Sequence, residues 1–373
     1  MRRRAFLTWF GLLFAACRTD TAPGAASPAE PSPRPASLFL TPPPTPGPIE
    51  FPRDFGSHDV LTEWWYYTGH LRATTAERFG FEFVIFQVQR FGYPVVYAAH
   101  AALTAIDQQT FRWDERLVSL PQRQASWPLQ LRVGDWALAS DGESDRIIAP
   151  SSSFTIALDL QSTRPPVLHH GGYFEWAPAT GSFYYSRTRL TAEGEVEVDG
   201  RSLAVTGVAW HDHQWGNFLL GPGGWDWFAL QLDDGTDLML WQSRDNQQQP
   251  IERRGTVVVP DGTTRALEAA DIDIRATNTW TSPHSGATYP SGWEIAIPPI
   301  DLTITVTPLV LDQELQTVRS TAVIYWEGAV DLQAQRAGAR IGGQGYVELT
   351  GYAAPAARIP TSGLPARSTL TTG

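Results

Sequence analysis

The sequence predicts a nearly all-β body of barrels or sandwiches, and three observations carry that reading. Runs rich in β-branched and aromatic residues recur between Gly, Pro, Asp and Asn: FGFEFVIFQVQRF (79–91), VVYAAHAALTAI (95–106), LTITVTPLV (302–310) and TAVIYWEGAVDL (321–332). Asp-Gly pairs at Asp141-Gly142, Asp199-Gly200, Asp234-Gly235 and Asp261-Gly262 mark hairpin turns. No long stretch repeats every 3.6 residues between caps and βα alternation is missing, which argues against a Rossmann or TIM fold. The pattern leaves room for a lone helix after residue 107 or 312.

The chain divides in order. Residues 1–17 read as an export signal: Arg2, Arg3 and Arg4 precede an apolar run too short to span a bilayer. Arg3-Arg4-Ala5-Phe6-Leu7 resembles a twin-arginine motif, and Phe14-Ala15-Ala16-Cys17 a lipobox. Cys17 is therefore the expected lipidation site, with the protein held on the outer face of the cytoplasmic membrane or in the cell envelope. Residues 18–50, rich in Pro, Ala, Ser and Thr, read as a disordered linker. Residues 51–220 and 221–353 are read as two domains, divided where Gly221-Pro222-Gly223-Gly224 breaks the strand pattern. Residues 354–373 read as a disordered tail.

Composition narrows the function. With 373 residues, 42% hydrophobic and 18% charged, the chain can bury a full core. Its formal charge is −11 and no basic stripe is visible, so nucleic acid is excluded as a partner. All 28 cationic residues are arginine, which excludes a Schiff-base lysine and a Walker A loop. A single cysteine excludes an internal disulfide and a cysteine-held cluster. Fifteen tryptophans suit a β-rich core or a large apolar pocket.

Three motifs carry the candidate chemistry. In Glu63-Trp64-Trp65-Tyr66-Tyr67, strand alternation puts Glu63 and Trp65 on one face and Trp64 and Tyr66 on the other. A carboxylate among tryptophans needs a partner or must be neutral. In Trp210-His211-Asp212-His213-Gln214-Trp215, His211, His213 and Trp215 point one way, and Trp210, Asp212 and Gln214 the other. An H-x-H pair can ligate a metal given a third ligand such as His58, His70 or His100; the alternative, preferred here, is a polar knot holding His213 on a carboxylate. In Trp225-Asp226-Trp227, leading to Trp241 and Arg244, the guanidinium can grip a carboxylate. The tandem His169-His170 reads as structural.

Glu63–Tyr66, the W-x-D-H-Q-W-G run at Trp210–Gly216, the Trp225-Asp226-Trp227 strand with Arg244, and the closing Gly345-Tyr346-Val347-Glu348-Leu349-Thr350-Gly351-Tyr352 occur together and in order. The combination resembles the carotenoid 1,2-hydratase (hydroxyneurosporene synthase) and AttH-like family across residues 51–352. That resemblance implies two tandem lipocalin-like β-barrels with an apolar pocket in or between them. Trp241 and Ser243 stand where a hydratase is expected to show a tyrosine and an acid.

On this reading the ligand is a small lipophilic polyene or isoprenoid, possessing a double bond that an enzyme of this type would hydrate or isomerise. Asp212 is the expected proton donor, His213 its orienting partner and Glu63 the second acid. Trp64, Trp65, Tyr66, Trp210, Trp215, Trp225, Asp226, Trp227, Trp241 and Arg244 are the expected binding residues. Asp212 and His213 are expected together near the domain junction, with Glu63 or Arg244 in reach. No cofactor or resident metal is required, and a monomer is expected. The competing reading is a non-catalytic, membrane-tethered carrier or lipid-handling protein.

Overall fold

A computed structural model describes residues 47–177, 180–218 and 223–353. The export signal, Cys17, nearly all of the linker, the break at 219–222 and the tail at 354–373 lie outside the described residues. Residues 47–50, expected as linker, belong to the folded body. Ile49 is buried against Tyr185 and Trp215, where its apolar surface is worth more than solvation.

Among the described residues the strands form an eleven-stranded sheet, a ten-stranded sheet and a two-stranded ribbon, all antiparallel. The first sheet uses strands from Thr62 to Gly216 and the second strands from Gly224 to Thr350. Each is barrel-like, which makes the fold all-β with two tandem lipocalin-like barrels. Where the pattern leaves room for a helix after residue 107 there is only a 3₁₀ turn at Ile106–Gln108, closed by Gln109 at φ +54°. After residue 312 comes the strand Glu314–Thr317. Asp199 and Gly200 both adopt positive φ, the mirror-image turn that matches strand twist in a two-residue hairpin.

Alternation along two central strands positions everything that follows. Thr62–Ala73 pairs with Arg201–Gly216 so that Glu63 lies opposite Trp215, Trp65 opposite His213, and Tyr66 opposite Asp212. The faces carrying Trp65, Tyr67, Phe81 and Phe83 enclose the first barrel's core. Phe228, Leu230, Trp293 and Val347 fill the second. A third apolar cluster lies between the sheets, where Tyr66, Val84, Tyr184 and Trp210 of the first meet Trp227, Met239, Ala329 and Tyr346 of the second. Both inner walls of this junction are therefore outer faces of barrels, made apolar because each covers the other.

Candidate active site

The junction gathers seven of the expected residues on facing surfaces: Trp64, Tyr66, Trp210 and Asp212 from the first sheet, and Trp225, Trp227 and Trp241 from the second. Trp64, Phe86, Trp225 and Trp241 keep part of their surface in solvent and form a rim; Tyr66, Trp210 and Trp227 are buried below it.

Asp212 is the centre of a hydrogen-bonded group. It accepts from Tyr184 Oη at 2.5 Å, from Trp210 Nε1 at 2.6 Å and from Ser186 Oγ. Ser186 in turn contacts His169 Nε2 at 2.6 Å, and His169 Nδ1 lies 2.9 Å from Thr256 Oγ1 across the junction. Burial pushes the Asp212 carboxyl up to about 7, against those three hydrogen bonds. The His169 imidazole is held neutral, its pKa lowered to about 3 by burial.

Three further acids share the junction. Glu348 accepts from Trp225 Nε1 at 2.8 Å, and burial, aided by the charge of Asp212, raises it to about 7. Unlike the others it retains some accessible surface. Glu327 accepts from Tyr66 Oη at 2.6 Å and is raised well above the ordinary range by burial and by Glu348 and Glu82. Glu82, 3.3 Å from Tyr325 Oη, is raised to about 8 by burial and Glu348. Among the described residues no arginine forms an ion pair with any of the four. Uncompensated burial is the common cause, and its result is a layer of carboxyl groups that keep their protons to far higher pH than usual.

The expected partnership of Asp212 with His213 does not form. Adjacent strand residues point to opposite faces, so His213 enters the first barrel with Glu63, Trp65 and Trp215. His213 Nε2 lies 2.8 Å from Glu63 Oε1, and His58 Nδ1 2.7 Å from the same oxygen. Glu63 Oε2 accepts from the His58 backbone N–H and from Gln87. Burial alone would raise Glu63, but the two imidazoles outweigh it and hold the carboxyl below its usual range. Asp226 and Arg244 are likewise not at the junction. They share the second barrel's interior face, where Arg244 Nε donates to Asp226 at 3.1 Å, beside Gln242 and Tyr352. Arg244 is therefore out of reach of Asp212; of the two expected partners it is Glu63 that is in reach, and of His213 alone.

A family model described as AttH-like matches residues 42–352. The chain belongs to the AttH-like family. A crystal structure described as AttH from Nitrosomonas europaea is 31% identical, with a TM-score of 0.76, covering 84% of this chain and all of that one. Kievitone hydratase of Fusarium solani subsp. phaseoli is 23% identical over 237 residues, which span 60% of this chain and 66% of the enzyme. The crystal structure of kievitone hydratase from Nectria haematococca, 19% identical, shares the fold at a TM-score of 0.64, covering 77% of this chain and 88% of that one.

In this AttH-like chain one group has the ligand types of a metal centre. Ligand atoms of His58, Glu63 and His213 lie within 4.8 Å of one another. His211, half of the H-x-H pair, is not in the group; its Nδ1 faces the Tyr66 carbonyl at 3.1 Å. The same three residues also form a complete hydrogen-bonded knot, because Tyr185 Oη contacts the remaining His213 nitrogen at 3.1 Å. Sequence reasoning missed Glu82, Glu327, Glu348, Tyr184 and His169 as site residues. A signal was present: each glutamate stands as a lone acid within a short apolar stretch, as in GFEFVIF and VIYWEGAV.

Proposed function

We propose that the chain binds a lipophilic polyene or isoprenoid between its two sheets and hydrates or isomerises it, in the manner of carotenoid 1,2-hydratase. The observation that carries this reading is Asp212: a carboxyl raised by burial to about 7, among Trp210, Trp227 and Tyr66, in an interface edged by partly exposed aromatic rings. A neutral acid can give its proton to one carbon of a double bond, leaving a tertiary cation on the next. Indole faces stabilise that cation. Water then adds, and the proton it sheds returns to the carboxylate. Glu348, nearer the rim and also raised to about 7, is a second carboxyl able to give a proton. Asp212 and Glu348 would thus supply the acidity that Ser243 lacks.

Incubation with a terminal isoprenoid in ¹⁸O-labelled water tests the reaction. Product gaining labelled oxygen, lost in Asp212→Asn, supports it; bound ligand recovered unchanged by both forms favours the carrier. One observation favours that second reading: both Asp212 oxygens are already engaged by Tyr184, Ser186 and Trp210. The proposal keeps the membrane tether through Cys17 and a monomeric body. Cys17→Ser should release the protein from membranes, and unchanged fractionation would remove the tether.

A further inference from the structure

We propose that Glu82 and Glu327 form a polar pocket within the junction that receives a hydroxyl group, so that the ligand is an isoprenoid or polyene alcohol and not a plain hydrocarbon. This rests on the reading that the junction holds a lipophilic ligand.

Glu82 projects from the strand Arg78–Val88 and Glu327 from Val323–Arg336, so the two sheets contribute one acid each. Both side chains are fully buried. Each uses only one oxygen: Glu82 Oε1 meets Tyr325 Oη, and Glu327 Oε1 meets Tyr66 Oη. Oε2 of each is buried with no hydrogen-bond partner in the protein. A buried polar atom left unpaired costs about 1–3 kcal/mol, and two such atoms on facing strands double the cost. A group that satisfies both would recover it.

The chemistry of that group can be narrowed. Among the described residues the one group of three His, Cys, Asp or Glu side chains close enough to share an ion is His58, Glu63 and His213, on the other side of the first sheet, so a metal ion does not fit here. An organic cation would need ionised acids, whereas burial and the neighbouring Glu348 favour the protonated form of both. A hydroxyl suits a pair of neutral carboxyl groups: it donates to one carbonyl oxygen and accepts from the other O–H.

The surroundings give the pocket a closed end. Two residues from Glu82 on the same face, Gly80 approaches the second sheet so closely that a Cβ there would lie 2.6 Å from Tyr346 Oη and 2.7 Å from Ala329 Cβ. His70 seals the same end through Gly345 at 2.8 Å. Tyr66 sits between the pocket and the acid, bonded to Glu327 and opposite Asp212 in register. Two strand spacings and two residues of rise separate the Asp212 and Glu82 backbones, roughly 12 Å. The hydroxyl would therefore anchor one end of the ligand while a double bond further along meets Asp212.

The test compares farnesol with β-farnesene, its hydrocarbon counterpart, by quenching of tryptophan fluorescence in the folded protein. The unaltered chain should bind farnesol roughly ten-fold more tightly, as one or two net hydrogen bonds provide. Glu82→Leu/Glu327→Leu should erase that preference, whereas Glu327→Gln, which still donates and accepts, should keep most of it. Equal affinity of the unaltered chain for both probes overturns the hydroxyl pocket and leaves the lipophilic junction standing. Binding of neither probe overturns both. Because the first comparison uses only the unaltered chain, a leucine variant that fails to fold does not protect the proposal.

Discussion

Glu63 and Asp212 sit on opposite faces of the same pair of strands, and the two hold charge in opposite ways. Inside the first barrel, Glu63 is fully buried yet held below the usual carboxylate range, because His213 and His58 both bind it. One residue further along each strand the side chains turn outward. There Asp212, and with it Glu348, Glu327 and Glu82, lie among tryptophans and tyrosines, ion-paired with no arginine among the described residues, and are pushed far above the usual carboxylate range. Burial is common to both; the partner differs. A carboxylate with imidazole partners is a structural pin, whereas one bound only by neutral donors is a stored proton.

The largest test of that contrast removes the pin. Glu63→Ala leaves His213 buried without its acceptor and should lower stability by about 3–5 kcal/mol, read as a fall in Tm or in the denaturant midpoint. Asp212→Asn should do the reverse: stability within about 1 kcal/mol of the parent, ligand still bound, and turnover lower by about 10²–10⁴-fold in a hydration assay. Equal destabilisation by both would erase the contrast.

The pH dependence of stability sharpens it. A carboxyl with a higher pKa folded than unfolded binds its proton on folding, so its contribution is lost as pH rises through the folded value. From these acids Tm should therefore fall as pH rises from about 4, where the unfolded carboxyls ionise, and level off above about pH 8, once Asp212, Glu348 and Glu82 have passed their folded values of about 7, 7 and 8. Glu348→Gln should make that fall shallower. The buried imidazoles act on the acid side. His213 and His70 are lowered to about 4 and His100 to about 3, so below about pH 6.5 the unfolded chain takes protons that the folded chain does not. The smallest effect is at the rim. Trp241→Ala should weaken farnesol binding by roughly ten-fold without moving Tm, since it removes one stacking face at the edge of the junction.

Much of this contrast is legible in the alternation of the amino-acid sequence. Period two separates Glu63 from Trp64 and Asp212 from His213, and each lies on the face that the pattern assigns. The same alternation rules out the expected Asp212–His213 contact, because neighbours along a strand point to opposite faces. Which barrel face is covered by the other sheet is not legible, since packing between residues as distant as Tyr66 and Glu327 leaves no local mark. For that reason the expected binding residues mix junction residues such as Trp227 with barrel-interior residues such as Asp226, one position away. Glu82, Glu327 and Glu348 are visible as lone acids within short apolar stretches, and the logic applied to Glu63 extends to each of them.

The protonation state of Asp212 tests the central contrast most directly. The infrared difference between the unaltered chain and Asp212→Asn isolates the C=O stretch of a protonated carboxyl, followed from about pH 4 to about pH 9. A neutral Asp212 should give a band present at pH 6 that disappears with a midpoint near 7. A band already lost near the ordinary aspartate value of about 4 would mean that Asp212 is ionised at neutral pH, and the junction would hold no proton to give.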